Sequence, residues 1–311
     1  MTNHGLTVGT RGSALALWQT QHVVECLRVA TPDLDVQIKT IQTRGDMVQN
    51  RALSQMDGKG LFVREIENAL LSGEIDLAVH SLKDMPTEQP NGLMLGAIME
   101  RDDPRDALVL REGEGDLSTL ALGARVGTSS LRRRAQLLAA RPDLRVFDLR
   151  GNVDTRLRKL REGQYDAVVL AAAGLVRLGH AVSISQVLPV DLMIPAVGQG
   201  ALCVEVRATD GVTQGLISSL DHLPTRQAAE AERALLQRLE GGCQVPVGAF
   251  AQVDGGRLTL LGLVASLDGS RLVRDEVRGS ALEAAPLGTA LAERLLVAGG
   301  RAILEEVRRG G

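Results

Sequence analysis

The chain has 311 residues, of which 44% are hydrophobic and 23% charged, and its formal net charge is −3 at pH 7. This length exceeds what one hydrophobic core usually organises, so two or three domains are expected. The longest apolar runs are shorter than the roughly 18 residues that cross a bilayer, and the acidic balance with only 2% aromatic residues is unlike a nucleic-acid-binding surface. Membrane and nucleic-acid partners are therefore not expected.

The N-terminus and the cysteines bear on the cellular compartment of the protein. Residues 1–5 lack the basic and apolar segments of an export signal. Cys26, Cys203 and Cys243 are widely separated and form no C-x-x-C pair, which argues against a disulfide framework and a structural zinc site. We expect a cytoplasmic chain with no bound metal. No predicted helix has an additional apolar face that a second subunit would have to cover, so a monomer is expected.

The first hundred residues alternate between strand and helix patterns. Strands are predicted at Val36–Ile41 and Ile75–Val79, and helices over Leu15–Ala30 and Leu61–Leu71. This order indicates a mainly parallel sheet covered on both faces. The charged, proline-containing segment Arg101–Arg105 is typical of a linker.

A second alternation follows the linker. It consists of predicted strands near 107–110, 145–149 and 166–170 and predicted helices over 131–140 and 154–162. The glycine-rich segment Pro195–Gly200 then leads into a strand at 201–206, which predicts a second crossover and a two-stranded hinge between two lobes.

The pattern changes again after Asp221. A helix is predicted over Arg226–Leu239, strands near Leu258–Val264 and a closing helix over Leu287–Val307. This pattern indicates a small α+β domain. The predicted division is residues 1–100 with about 200–220 for the first lobe, 101–199 for the second, and 221–311 for the C-terminal domain.

Nearly all basic residues are arginine, since lysine occurs only at positions 39, 59, 83 and 159. Guanidinium groups bind carboxylates and phosphates in a planar fork. Loops that follow parallel strands gather at one crevice, where helix N-termini favour anions. We therefore expect a cleft with anion-binding groups from both halves. The arginine-containing segments at predicted strand ends are Thr10–Ser13, Gly127–Arg133, Leu149–Asn152, Thr155–Leu157 and Gly174–Arg177.

The segment His80–Asp84 closes an apolar strand with Lys83 beside Asp84. An aspartate here can accept a hydrogen bond from an N–H group of a ligand and stabilise a cation that develops on it, with Lys83 favouring the ionised form. The alternative is an ordinary surface ion pair. We interpret His80 as a structural histidine rather than a base.

Two glycine-flanked segments carry further candidates. Gly241 and Gly242 precede Cys243, and an exposed cysteine on such a loop can be a nucleophile or a covalent attachment point. Gly58-Lys59-Gly60-Leu61-Phe62 lacks the spacing of a phosphate loop. It is interpreted as a lid with Lys59 and Phe62 facing the ligand, the alternative being a plain exposed loop.

Together these segments resemble the porphobilinogen deaminase (hydroxymethylbilane synthase) family from Thr10 to about Gly248. The matching motifs are Thr43–Asp46, Gly58–Phe62, Ala78–Asp84, Gly127–Arg133, Leu149–Asn152, Pro195–Gly200 and Glu240–Cys243. The resemblance implies an α/β fold of two periplasmic-binding-protein-like lobes with mainly parallel sheets, plus a small α+β C-terminal domain.

The resemblance also implies a transferase of tetrapyrrole and heme biosynthesis. Such an enzyme condenses four porphobilinogen molecules stepwise onto a covalent dipyrromethane cofactor, with loss of ammonia, and releases hydroxymethylbilane by hydrolysis. It places the catalytic aspartate at Asp84 and the thioether-forming cysteine at Cys243. At Gln55 many relatives have lysine, so the resemblance does not extend to a cofactor contact there.

The predicted roles agree with the chemistry of the residues, because each pyrrole carries an acetate and a propionate that arginines can pair. A carboxylate also favours the cationic azafulvene left by loss of ammonia. The residues predicted to bind the cofactor are Cys243, Lys83, Ser81, Thr128, Ser129, Arg132, Arg133 and Asp84. Those predicted to bind substrate are Arg11, Ser13, Lys59, Phe62, Arg150, Arg156, Arg177 and Gln199.

Two other classes of protein share part of this pattern. A non-catalytic, two-lobed anion-binding or effector-sensing protein would share the lobes and the arginines, but it does not explain an exposed Gly-Gly-Cys. A cysteine hydrolase would need a base, and no histidine or asparagine lies close to Cys243 in sequence.

Overall fold

The structure is a computed structural model that describes residues 5–43, 63–111, 114–239 and 245–310. Contacts divide the chain into two compact units, Met1–Arg101 with Ala201–Arg226, and Asp102–Gly200 with Gln227–Gly311. The three-domain division stays a prediction. Within the described ranges, no helix combines the length and apolar character needed to cross a membrane.

Thirteen strands and nine α-helices are described, in addition to short 3₁₀ turns. The strands are β1 (Leu6–Thr10), β2 (Val36–Thr40), β3 (Leu77–Ser81), β4 (Leu93–Ile98), β5 (Asp106–Leu110), β6 (Arg125–Gly127), β7 (Arg145–Phe147), β8 (Ala167–Ala171), β9 (Gln186–Val187), β10 (Leu202–Arg207), β11 (Val247–Asp254), β12 (Arg257–Ala265) and β13 (Leu272–Ser280). The helices are α1 (Ala14–Ala30), α2 (Arg64–Leu71), α3 (Leu131–Ala140), α4 (Val153–Arg161), α5 (Ala172–Arg177), α6 (Gly211–Ile217), α7 (Leu223–Arg238), α8 (Ala284–Leu295) and α9 (Arg301–Gly310).

The first unit is built on a five-stranded sheet with the order β2-β1-β3-β10-β4. β1 pairs in parallel with β2 and β3, whereas β10 pairs antiparallel with β3 and β4. The buried face of α1, with Val23 and Leu27, packs with Val8 and Leu77 of the sheet in one core. This arrangement brings the carboxyl ends of β1 and β3 to the same edge.

The second unit contains a five-stranded sheet with the order β7-β6-β8-β5-β9 and a three-stranded sheet with the order β11-β12-β13. β6 is parallel to β7 and β8, and β5 is antiparallel to β8. The predicted α/β architecture with a small C-terminal α+β part is confirmed. Both five-stranded sheets are mixed, because a returning strand runs against the parallel set.

Helices α7 and α8 cover the three-stranded sheet, where Leu235, Leu260 and Leu291 share one core. A Cβ atom at Gly288 would lie 2.1 Å from the carbonyl oxygen of Ala231. Only a glycine therefore permits this close approach of α8 to α7.

The sequence predicted one continuous helix over Leu287–Val307, and this prediction is wrong because the segment forms two helices. α8 and α9 are separated by a wide turn at Leu296–Gly300, within which Gly299 has a φ of 113°. A residue with a side chain rarely adopts this φ, so glycine permits the chain to change direction here. Strand β13 was not predicted, because charged residues fill much of it and hide the alternation of a strand.

Candidate active site

Two loops meet at one edge of the sheet in the first unit. β1 and β3 are parallel neighbours, so the segment after Thr10 and the segment after Ser81 leave the sheet on the same side. A small pocket at this edge is lined by Arg11, Ser13, Gln19, Ser81 and Asp84, among other residues. The structure therefore brings together four of the residues that the sequence predicted.

Asp84 lies on a 3₁₀ turn, Leu82–Asp84, directly after β3. Leu82 and Met85 are buried on either side of it, whereas Asp84 is exposed. The backbone N–H of Leu82 donates to the carbonyl of Ala201 at 3.0 Å. The apolar anchors hold the turn while its carboxylate stays open to a ligand.

Gln19 is a pocket residue that the sequence analysis did not single out. Its side chain is 3% exposed, and its Nε2 donates to the hydroxyl of Ser81 at 2.8 Å. Ser13 caps α1 by accepting a hydrogen bond from the backbone N–H of Ala16 at 3.3 Å. In the sequence, the sign of this role was a glutamine among the apolar positions on the inner face of a predicted amphipathic helix.

In the second unit two predicted cofactor-binding arginines share one carboxylate. Asp106 is fully buried at the start of β5, and its Oδ2 accepts a hydrogen bond from Nη1 of Arg132 at 2.7 Å. Arg133 donates to Oδ1 from Nη2, also at 2.7 Å. The arginines are only 4% and 6% exposed. Asp106 was not among the residues predicted from the sequence.

The charges in this cluster do not balance among the described residues. Burial acts to raise the pKa of the Asp106 carboxyl, but the charges of Arg132 and Arg133 hold that pKa well below its ordinary value. One carboxylate therefore faces two cations. Nε of Arg132 is buried and has no hydrogen-bond partner among the described residues. The cluster is suited to a further anionic group.

The hydroxyl groups predicted to bind the cofactor also order the loops around α3. Ser129 bridges two strand ends, since its Oγ donates to the carbonyl of Leu149 at 2.9 Å and accepts from the N–H of Leu149 at 3.0 Å. Oγ1 of Thr128 accepts from the N–H of Ser130 at 3.2 Å. Ser130 in turn caps α3.

Arg150 and Arg156 lie at the end of β7 and in the first turns of α4. Asn152 caps α4 by accepting from the N–H of Thr155 at 2.9 Å. Nε of Arg156 donates to the carbonyl of Gly151 at 2.8 Å, and Gly151 has a φ of 109°. The tight turn thus places both arginines at the carboxyl edge of the parallel strands.

Arg177 and Gln199 have structural contacts at the predicted hinge. Arg177 pairs with Asp102 at 2.8 Å, and its Nη2 donates to the carbonyl of Gly200 at 2.7 Å. Nε2 of Gln199 donates to the carbonyl of Pro104 at 2.6 Å and to Asp106 at 2.9 Å. These bonds connect the two chain segments of the hinge within the second unit. A binding role for either residue stays a prediction.

Four predicted positions, Lys59, Phe62, Cys243 and Gln55, lie outside the described residues. Within the described ranges, no three His, Cys, Asp or Glu side chains are grouped as a metal site requires.

Two protein-family models match the chain, one over the part that contains the pocket and the arginine cluster and one over the C-terminal part. A family model described as "Porphobilinogen deaminase, dipyromethane cofactor binding domain" matches residues 6–215. A second model, "Porphobilinogen deaminase, C-terminal domain", matches residues 226–297. The chain belongs to the porphobilinogen deaminase family.

Similar proteins named porphobilinogen deaminase match nearly the whole chain. The protein of Trichlorobacter lovleyi is 53% identical over 302 residues, covering 97% of this chain and 96% of its own length. That of Roseiflexus sp. is 56% identical over 299 residues, covering 96% and 98%. The pocket and the arginine cluster both lie within residues 6–215, which match the cofactor-binding domain of the porphobilinogen deaminase family.

Solved structures similar to this porphobilinogen deaminase family member include a TRAP periplasmic solute binding protein from Desulfovibrio salexigens. It is 10% identical, with a TM-score of 0.43 and coverage of 73% of this chain and 74% of that chain. The BvgS VFT2 domain of Bordetella pertussis is 16% identical, with a TM-score of 0.42 and coverage of 70% and 85%. Similarities this low carry no argument about ligand or activity.

Proposed function

We propose that the chain is a hydroxymethylbilane synthase, a transferase of tetrapyrrole biosynthesis. It condenses four porphobilinogen molecules onto a covalent dipyrromethane, with loss of ammonia at each step, and then releases hydroxymethylbilane by hydrolysis. Family membership supports the reaction. The structural observation that carries it is the buried pair of guanidinium groups that share the single carboxylate of Asp106.

The residues of this cluster fit the dipyrromethane group. Its rings carry acetate and propionate side chains, and a carboxylate would neutralise the surplus positive charge at Arg132 and Arg133. Nε of Arg132 is a buried donor that such a group could satisfy. We assign cofactor binding to Arg132 and Arg133, with Thr128, Ser129, Ser81, Lys83 and Asp84 as further donors and acceptors.

Cys243 is the attachment point in this proposal, through a thioether bond to its sulfur. The residue lies outside the described part of the chain, and the assignment rests on the Glu240–Cys243 motif of the family. When bound, the dipyrromethane supplies the pyrrole carbon to which the first substrate is joined.

Asp84 is the catalytic residue of the proposal. Loss of ammonia from the aminomethyl group of porphobilinogen leaves a cation shared with the pyrrole nitrogen. The exposed carboxylate of Asp84 accepts the N–H hydrogen bond and stabilises that positive charge. Asp84 would also accept the proton that the attacked ring releases when it is joined to the methylene carbon.

Substrate carboxylates are bound by guanidinium, ammonium, hydroxyl and amide groups. Arg11 and Ser13 line the pocket together with Asp84. Arg150 and Arg156 lie at the carboxyl ends of the parallel strands in the second unit. The residues proposed to bind substrate are Arg11, Ser13, Lys59, Arg150, Arg156, Arg177 and Gln199, together with Phe62, whose phenyl ring would face the substrate without binding a carboxylate. Arg177 and Gln199 would combine this role with their contacts at the hinge segments.

We also propose that the enzyme works as a monomer in the cytoplasm. The three cysteines are widely separated in the sequence and form no C-x-x-C pair, which is typical of a protein from a reducing compartment. Analytical ultracentrifugation of the purified enzyme and fractionation of its native cells test the two statements.

An intact-mass measurement on denatured protein tests the function against the non-catalytic alternative. We expect a mass excess equal to two pyrrole units, its loss in Cys243→Ala and its retention in the control Cys26→Ala. Purified wild-type protein should also consume porphobilinogen and release ammonia. An unmodified mass together with no consumption would favour a protein that only binds anions.

A further inference from the structure

A buried histidine–carboxylate pair lies in the first unit, and its histidine, His80, is also among the residues that line the pocket. Nε2 of His80, on β3, is 3.1 Å from Oε2 of Glu205, on β10. Their side chains are 4% and 0% exposed. Because a carboxylate accepts hydrogen bonds, Nε2 carries the hydrogen and donates it to Glu205. The pair joins two adjacent strands through their side chains.

A second carboxyl group stands beside this pair. Glu67, on α2, is 6% exposed, and α2 packs on β3 and β10. Oε1 of Glu67 and Oε1 of Glu205 are both buried without a hydrogen-bond partner among the described residues. Two ionised carboxylates in such a place would repel each other with little solvent to screen them. One proton on Glu67 removes that repulsion.

The other charged groups around Glu67 do not remove the need for this proton. Burial is the main cause that raises the pKa of Glu67, followed by the charge of Glu205, while His80 and Arg64 act to lower it and Glu65 to raise it. Arg207 of β10 is bound instead to the carbonyls of Leu70 and Ile75 and to Asp76 and Asp210. β1 and β4, which also pack on α2, contain no titratable residues.

The end of β3 is thereby held from both faces of the sheet. His80 points towards the α2 side, with Glu205, and the next side chain, Ser81, accepts a hydrogen bond from Gln19 of α1 on the opposite side. Directly after Ser81 comes the turn that carries Asp84. A displacement of this strand end would move the carboxylate of Asp84.

We propose that His80, Glu205 and Glu67 form a positioning network for the Asp84 turn, in which Glu205 is the anion that holds His80 and Glu67 carries a proton. The inference rests on the proposed catalytic role of Asp84. The network itself touches no substrate in this proposal, and its residues act through the position of the turn.

The kinetic test compares His80→Gln with His80→Ala. Glutamine places an amide N–H near the position of the imidazole Nε2–H, so His80→Gln should retain at least a third of the wild-type kcat. His80→Ala should lower kcat at least 20-fold and change KM less than threefold, because the binding arginines are untouched. Glu205→Gln should lower kcat similarly. The matched control is Glu74→Gln, on a surface glutamate that pairs with Lys39.

An infrared spectrum of the folded holoenzyme tests the proton without an activity measurement. At neutral pH we expect the carbonyl band of a protonated carboxyl group in the wild type, its loss in Glu67→Gln and its retention in Glu74→Gln. If Glu67→Gln leaves the spectrum unchanged, Glu67 is ionised and the proposed proton on Glu67 is refuted. Circular dichroism before each measurement establishes that a variant is folded.

The outcomes separate this inference from the proposed role of Asp84. If Asp84→Asn abolishes turnover while folded His80→Ala and Glu205→Gln keep wild-type kcat, the positioning network is refuted and Asp84 stands. If Asp84→Asn turns over normally, the proposed function of Asp84 fails first. Equal loss of kcat in His80→Gln and His80→Ala would also contradict the network, since the restored N–H group should rescue it.

Discussion

Arg133 donates two hydrogen bonds to the same oxygen, Oδ1, of the buried Asp106 carboxylate, from Nε at 2.9 Å and from Nη2 at 2.7 Å. Arg132 holds the other oxygen, so Asp106 is the anion around which the cluster is built. The two arginines predicted to bind the cofactor lie on α3 and are thus fixed in place by a residue at the start of β5. Losing that residue should affect both stability and cofactor assembly.

Asp106→Asn is expected to destabilise the protein by about 3–5 kcal/mol, because it leaves buried guanidinium groups without a counter-charge. Urea denaturation measures this loss, and Asp143→Asn, which disrupts the more exposed pair with Arg141, is the control with a much smaller expected loss. Because folding lowers the pKa of Asp106, its contribution is present above the ordinary value of 3.8 and is lost as the pH falls below it. Equal stability of the two variants would contradict this account.

Asp84→Asn should keep the covalent cofactor but lower kcat by about 100-fold or more, the usual size of a lost acid–base group. The reason is that an amide cannot stabilise the cation left by loss of ammonia as a carboxylate does. Stopped assays of porphobilinogen consumption, with intact-mass measurement of the cofactor, check both parts. The exposed Asp33→Asn serves as control, and a kcat within twofold of wild type for Asp84→Asn would remove the residue from its role.

Arg150→Ala is expected to stall elongation after the cofactor has formed. A missing guanidinium group leaves a substrate carboxylate unpaired, which typically costs about 1.5–3 kcal/mol for a charged hydrogen bond. Mass spectrometry of the enzyme during turnover should show an accumulated intermediate of defined length. Arg158→Ala, on the exposed pair with Glu162, is the control, and an identical intermediate pattern in both variants would argue against substrate binding by Arg150.

Gly288→Ala should destabilise the C-terminal part, because its Cβ would lie 2.1 Å from the carbonyl oxygen of Ala231. We expect a loss of about 1–3 kcal/mol, typical of overpacking. Gly215→Ala is the matched control in another helix, where nothing lies within 4 Å, and it should gain up to about 1 kcal/mol. Thermal unfolding of both variants checks the opposite signs, and two changes of the same sign would refute the packing argument.

Glu67→Gln should flatten the pH dependence of stability above the ordinary glutamate range. Folding raises the pKa of Glu67 above its ordinary value of 4.5, so its favourable contribution is complete below that value and is lost as the pH rises through the raised pKa. Denaturation midpoints across that window, with Glu74→Gln as control, measure the effect. The same slope in Glu67→Gln as in the wild type would show that another group causes it.

The sequence predicted the alternation of strands and helices well wherever apolar residues were regularly spaced, as in α1 and β3. The arginines and Asp84 were also evident, because small and hydroxylic residues surrounded them at strand ends. Their partners could not be predicted in this way. Asp106 lies on β5 and Arg133 on the helix after β6, and the two meet through the sheet in which β8 pairs with both strands. Glu205 is a charged residue within an otherwise apolar strand, and such a position is a sequence signal for a buried polar partner.

Other differences have equally local causes. A pair of glycines at 299 and 300 interrupts an otherwise continuous apolar pattern, and helical periodicity alone does not reveal the positive φ of Gly299. Gln19 is polar on the inner face of an amphipathic helix, and its role depends on a hydrogen bond to Ser81, a residue of a distant strand. Polar residues on otherwise apolar faces were the useful sequence signal in both Gln19 and Glu205.

The position of β10 between β3 and β4 has a consequence for synthesis on the ribosome. The two neighbouring strands emerge early, but the strand that fills the gap between them follows only after the whole of Asp102–Gly200 has been translated. Contacts of such high sequence separation form slowly. The nascent first unit therefore exposes two unpaired strand edges until β10 has been made, and such edges are prone to aggregate.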